Sequence, residues 1–171
     1  MDDVSLFKQG MRRVSGAVTI VTTLGPRGER GGVTATAVCS LTAEPPAVVA
    51  CIHRESSVGQ IAPLGGVFCV NVLAREQQTI AETFAGRTGH VGEDRFSVGA
   101  WSRLISGAPV LEGALVSFDC RLERYVEFSS HLLLVGAVAR TLVGQQAVEP
   151  LIYVDGAFTT AAREIQAERR N

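Results

Sequence analysis

Thr34, Thr36 and Ser40 recur at even spacing inside GGVTATAVCSLTAEPPAVVACIHRESS, residues 31–57. On a strand, even spacing puts side chains on one face. These hydroxyls then stand together with Val38, while Val33, Ala35, Ala37, Cys39 and Leu41 face the other way. A hydroxyl buried without a partner costs about 1–3 kcal/mol. The polar face therefore needs water or a polar ligand, unless these residues only fill small gaps in a strand rich in threonine and alanine.

Ser56 and Ser57 stand where a short helix can begin. A helix N-terminus with free N–H groups and two hydroxyls can hold a phosphate, and simple capping accounts for the same serines. Arg54 is the nearby cation, and Arg87 is a second candidate whose alternative is a solvated helix end. His131 opens an apolar strand after a turn, a place where its ring can face a cleft, although a surface or hydrogen-bonded histidine is the plainer reading. His53 reads as structural.

The motifs that are missing narrow the chemistry. There is no GxSxG, HExxH or paired-carboxylate signature, and no GxGxxG or GxxxxGK[ST] loop. Cys39, Cys51, Cys69 and Cys120 each sit in an apolar run without CxxC spacing, which suits buried free thiols. The three histidines have no recognisable ligand spacing, so no metal site is expected.

Composition points the same way. A net charge of −1 and a pI near 6.3, with scattered arginines, give no field for nucleic acid. The 171 residues are 46% hydrophobic and only 19% charged, which leans towards a buried subunit interface. Residues 56–74 carry no formal charge, but Gly59, Gln60, Pro63, Gly65, Gly66 and Asn71 rule out a membrane span there. No secretory signal is visible, which makes the cytoplasm the expected compartment.

These residues must be positioned by elements that the hydrophobic pattern outlines. Phe7, Met11 and Val14 predict an amphipathic helix ending at Gly16. Strands are expected at Val18 to Leu24, through the hydroxyl-lined run, at Ala47 to Ile52 and at Val67 to Leu73, followed by a helix from Arg75 to Ala85 with Gly86 at its C′ position. Residues 86–110 form a long irregular region anchored by Trp101 and tied down by Asp94 and Arg95. From Val116 to Val126 apolar and polar residues alternate, predicting a half-exposed strand with Ser117, Asp119, Arg121 and Glu123 towards solvent. An apolar strand from Leu132 to Val143 and a last one from Leu151 to Val154 bring the count to about seven. The fold class is mainly β with peripheral helices, and antiparallel strands of this kind close best as a small barrel. With no repeat or linker, residues 1–171 read as one domain, its core about 5–160, with a polar tail at 163–171.

In order and spacing, FKQGMRRVSGAVTIVTT, GGVTATAVCSLTAEPPAVV, HRESS, FCVNVLAREQQTIAETFAGR, DRF, GAPVLEGALVSFDCRLE, SSHLLLVGAV and PLIYVDGAF resemble the flavin reductase domain family of two-component monooxygenase systems. The resemblance covers roughly residues 5–160. It implies a split β-barrel, a Greek-key antiparallel barrel of the FMN-binding type, assembled as a homodimer. It also implies reduction of FMN or FAD by NADH or NADPH and delivery of reduced flavin to a separate monooxygenase. A flavin-binding electron carrier or flavin store on the same fold is the alternative.

The same resemblance implies the site. Flavin contacts fall to Gly32, Val33, Thr34, Ala35, Thr36, Val38, Cys39 and Ser40, to Arg54, Ser56 and Ser57, to Phe84, Ala85 and Arg87, and to Tyr153. His131 is placed on the nicotinamide side of the flavin. This chain departs from the family pattern twice. Val33 stands where a methionine is usual, and Ser129-Ser130 stand where the family has Gly-Asp, which takes a carboxylate away from beside His131.

Overall fold

The structure, a computed structural model, describes residues 2–145 and 148–161; the tail expected at 163–171 lies outside the described residues. In chain order the elements are helix α1 (Asp3–Arg12) and strands β1 (Gly16–Ala17), β2 (Thr19–Leu24), β3 (Arg30–Ala35), β4 (Val38–Ala43) and β5 (Pro46–His53). Helix α2 (Ser57–Gly65), strand β6 (Val67–Val72) and helix α3 (Gln78–Phe84) follow. The remaining strands are β7 (Trp101–Arg103), β8 (Pro109–Leu111), β9 (Val116–Phe128), β10 (His131–Val143), β11 (Ile152–Val154) and β12 (Ala157–Thr159).

Seven strands make one antiparallel sheet in the order β3-β2-β6-β9-β10-β5-β4. β3 and β4 stand at opposite ends of that order, yet only Thr36 and Ala37 separate them in sequence. Three Cα steps span at most about 11 Å. The sheet is therefore rolled until its ends meet at this corner, which is stitched to β5 by the Cys51 N–H donating to the Ala37 carbonyl at 2.9 Å. The corner corrects the expectation of one continuous hydroxyl-lined strand: the chain must swing from one sheet end to the other, and the two-residue period stops there. Leu41, expected on the apolar face, is 54% exposed, at the register shift between Ser40 and Thr42.

Alternation along the rolled strands explains the core. Val21, Val48, Ala50, Ile52, Phe68, Val70, Cys120, Leu132 and Leu134 point inward, and Val58 and Ala62 of α2 join them. A second cluster lies where α3 and the long loop pack on β2. It joins Val18, Ile20, Leu73, Ile80, Phe84, Phe96 and Leu111. Phe84, Phe96 and Trp101 meet edge to face or tilted, with ring centroids 5.0–5.4 Å apart. Trp101 thus anchors the long loop as expected. No helix among the described residues is long and apolar enough to cross a membrane.

Three other expectations need correction. The first helix stops at Arg12, and the described residues leave the apolar stripe that predicted it largely uncovered: Phe7, Met11 and Val14 are all more than half exposed. Ser117 and Asp119 do not face solvent but are buried. Ser106 donates to Asp119 through both its N–H (2.8 Å) and its hydroxyl, and Ser117 donates to Asn71 Oδ1 at 2.8 Å. Asn71 Oδ1 also accepts from the Leu111 N–H at 2.9 Å. Residues 104–111 lie over this face, and period-two alternation reports which side chains share a face, not whether a loop covers it. Finally, Asp155-Gly156 does not close the last strand. With φ of 50° and 84°, it turns β11 into β12, forming a small sheet with β1.

Candidate functional site

The free edge of β3 organises the site. Ser57 Oγ accepts from the Gly32 N–H at 3.0 Å and donates to the Gly32 carbonyl at 3.1 Å, so both backbone groups of Gly32 turn away from β2. Ladder alternation turns the Thr34 N–H and carbonyl outward as well. Ala35 faces β2, where its carbonyl accepts from the Thr19 hydroxyl at 2.7 Å. β3 approaches this closely because Gly32 has no side chain: a Cβ there would lie 2.3 Å from the Phe84 ring.

A slot of about 210 Å³ opens beside that edge, lined by Val18, Thr34, Ala35, Thr36, Ala85, Arg87, Tyr153 and Phe158. The Thr34 hydroxyl is engaged, donating to the Ala81 carbonyl at 2.6 Å and tying β3 to α3. Thr36 is exposed. Gly86, at φ +78°, ends α3 and delivers Arg87, whose guanidinium lies 5.9 Å from the Phe158 ring centroid. Tyr153 meets Phe158 at 5.2 Å. Thr36 and Tyr153 are shared with a wider groove of about 900 Å³, whose far wall is the apolar face of α1.

A second group lies at the end of β5. Ser56 caps α2, its hydroxyl accepting from the Gly59 N–H at 3.1 Å and donating to the His53 carbonyl at 2.7 Å. With Ser57 bound to Gly32, both serine hydroxyls have partners inside the protein. Arg54 is exposed and donates its N–H to the Ser130 carbonyl at 2.9 Å. Across the ladder from His53 stands His131, with ring centroids 5.2 Å apart and the rings edge to face. Ser130 Oγ lies 2.9 Å from His131 Nδ1. Among the described residues neither Arg54 nor Arg87 forms an ion pair.

The fold thus gathers Thr34, Ala35, Thr36, Ala85, Arg87 and Tyr153 at the slot, and Gly32, Arg54, Ser56, Ser57 and His131 at the end of β5. The corner joins the two groups: Ala37 bonds Cys51, which lies two residues before His53. Other expected contacts are placed elsewhere. Val38, Cys39 and Ser40 line a separate groove of about 400 Å³ with Phe118, Val138 and Thr141, because they lie beyond the corner. Val33 packs on the barrel core. Phe84 is 1% exposed and supports the slot from behind.

Sequence reasoning missed Phe158 and Val18 as slot residues. The signal for Phe158 was present in Asp155-Gly156, a turn pair that favours a hairpin over a strand end. In chemical terms, outward backbone groups beside a threonine suit the heteroatoms along one edge of a planar polar ring. The guanidinium groups of Arg54 and Arg87, without an ion pair among the described residues, suit an anionic tail.

Residues 11–162 match the family described as flavin reductase like domain. FMN reductase (NADH) RutF 1 of Methylorubrum extorquens is 42% identical over 161 residues, spanning 94% of this chain and 78% of its own length. The RutF protein of Variovorax paradoxus, also named FMN reductase (NADH), is 43% identical over 150 residues, 87% of this chain and 81% of that one. Two solved structures share the fold. Streptomyces globisporus NADH:FAD oxidoreductase SgcE6 superposes with a TM-score of 0.83 at 28% identity, covering 95% of both chains. BorF, the flavin reductase component of a bacterial two-component tryptophan halogenase, gives 0.84 at 26% identity, over 95% of this chain and 100% of its own.

Proposed function

The chain belongs to the flavin reductase-like domain family, and from that premise we propose that it reduces flavin with NADH and hands the reduced flavin to a separate flavin-dependent monooxygenase. The observation that carries this reading is the free edge of β3, where a slot for a planar ring lies between Tyr153 and Arg87, which forms no ion pair among the described residues. When bound, flavin accepts a hydride from the nicotinamide, and the reactivity resides in the two cofactors. The protein's part is to hold two rings in contact, which calls for no nucleophile and no acid pair.

In this reading the outward backbone groups of Thr34 bond the polar edge of the ring, and Thr36 and Tyr153 bound the slot. Arg54 and the first turn of α2 take the phosphate. His131 lies on the nicotinamide side. FMN is the favoured flavin, because the relatives at 42–43% identity are named for it. Catalytic loss of nicotinamide absorbance with NADH and added FMN is the expected assay result. Flavin binding without any NADH oxidation would instead make the protein a carrier or store.

We also propose a homodimer. Leu133 and Val135 of β10 face outward with Val49 and Cys51 of β5 and Val126 and Phe128 of β9. Phe128 is 76% exposed and Val126 50%. An apolar sheet face of this kind favours a second copy over water. The variant Leu133→Glu should run as a monomer in sedimentation, and a wild-type protein that sediments as a monomer would refute the proposal.

A further inference from the structure

The turn that delivers His131 also sets its ring. Ser129 adopts φ +51° between β9 and β10, and the next residue, Ser130, places its hydroxyl 2.9 Å from His131 Nδ1. The backbone of Ser130 is fixed from the other side, its carbonyl accepting from the Arg54 N–H at 2.9 Å. His53 stands edge-on to the His131 ring at 5.2 Å. His53 is itself held, because its Nδ1 accepts from the Glu55 N–H at 3.3 Å. A hydroxyl and a ring edge together define the plane of His131. Among the described residues, Nε2 is left as the ring nitrogen without a partner inside the protein.

The chemistry of this partner matters. A carboxylate only accepts, so it would hold Nδ1 protonated and favour the charged ring. A hydroxyl can donate to a bare Nδ1 or accept from Nδ1–H without moving. In the first state Nε2 carries the proton and donates; in the second its lone pair accepts. We propose that Ser130 is a positioning residue that anchors His131 by Nδ1 while leaving Nε2 free to act as donor or acceptor towards a bound carboxamide, which offers both a carbonyl and an N–H₂. The proposal rests on the reading that His131 faces the nicotinamide.

The surroundings agree with a neutral anchor. On the β5 side the titratable neighbour is His53, and Arg54 and Glu55 follow it in the turn. On the β9 side the residue opposite is Phe128, which carries no charge. Among the described residues no carboxylate bonds either ring nitrogen of His131.

The test compares Ser130→Ala, Ser130→Thr and Ser130→Asp in the full chain. With FMN saturating, Ser130→Ala should raise KM for NADH roughly 3- to 10-fold, the loss of one hydrogen bond, with little change in FMN affinity. Ser130→Thr should restore it. Ser130→Asp should move the histidine limb of the pH profile of kcat/KM upward, because a carboxylate stabilises the charged ring. Wild-type KM and an unmoved pH profile in the Ala and Asp variants would overturn the proposal. His131→Ala separates this from failure of the underlying reading: if it oxidises NADH at the wild-type rate, His131 does not face the nicotinamide. In that event ¹⁵N shifts of the His131 ring, which need no turnover, still decide whether Ser130 holds Nδ1: unchanged shifts in Ser130→Ala refute the anchor, and changed shifts uphold the anchor while its role towards the carboxamide is overturned.

Discussion

One side chain closes two backbone groups on the edge of β3: Ser57 Oγ accepts from the Gly32 N–H at 3.0 Å and donates to the Gly32 carbonyl at 3.1 Å. The hydroxyl does for the sheet what another strand would do. It also fixes the start of α2 against β3, so the helix terminus and the slot are parts of one rigid arrangement.

Ser57→Ala removes both bonds at a half-buried position and leaves a donor and an acceptor unsatisfied. A loss of about 1–3 kcal/mol is expected, together with weaker flavin binding, because the edge of β3 is no longer held. Ser56→Ala removes the cap on Gly59 and the bond to the His53 carbonyl, neither of them on β3, and should cost about 1 kcal/mol with a smaller effect on flavin. Urea denaturation and fluorescence titration of both variants check the pair. Equal flavin losses would mean that the Ser57–Gly32 contact has no special part in the site.

Gly32→Ala tests the other side of the same contact. Its Cβ would lie 2.3 Å from Phe84, whose ring is packed against Phe96 and Trp101. Overpacking of this sort costs about 1–3 kcal/mol. The smaller side chain of Phe84→Leu should recover part of the loss, and a double-mutant cycle measures the coupling. A purely additive result would show that the two residues do not press on each other.

The buried thiols give a pH dependence of definite sign. Burial, followed by the charge of Asp119, pushes Cys120 from an ordinary value of 9.0 up to about 12. Burial also raises Cys69 well above its ordinary value, with Asp119 and Cys120 adding to it. Both groups ionise more easily in the unfolded chain. Their contribution is therefore complete below pH 9.0 and falls away as pH rises towards 12. Denaturation midpoints should hold through neutral pH and drop above about pH 9. Replacing Cys120 with Ala should flatten that alkaline limb while lowering stability overall. In the native protein a thiol reagent should modify exposed Cys39 first and leave Cys69 and Cys120 intact.

Much of this was legible in the residues, for identifiable reasons. The Ser56 cap and the Gly86 terminus are local signals, and the structure has both. What lay out of reach was long-range. That Thr34 spends its hydroxyl on Ala81, 47 residues away, depends on where α3 docks. The burial of Asp119 depends on a loop crossing β9. The separation of Val38, Cys39 and Ser40 from the slot depends on the turn at Thr36 and Ala37, which looks like uninterrupted strand in the sequence. Even spacing assigns a shared face only as far as one strand runs, and it carries no information on where the sheet rolls.

Arg54 offers the sharpest test of how an anionic tail is held. Both serine hydroxyls at the start of α2 are committed, Ser56 to Gly59 and His53 and Ser57 to Gly32. A phosphate there must rely on Arg54 and on the first-turn N–H groups that Ser56 does not cap. Arg54→Ala should therefore weaken FMN binding roughly 10-fold, as loss of a charge-assisted contact does, and the wild-type affinity should fall with added salt. Riboflavin, which has the same ring and no phosphate, should bind the two proteins equally. If Arg54→Ala weakened riboflavin as much as FMN, the residue would be shaping the ring site. If neither ligand were affected, the phosphate would fall to Arg87, and the same pair of titrations on Arg87→Ala would show the loss.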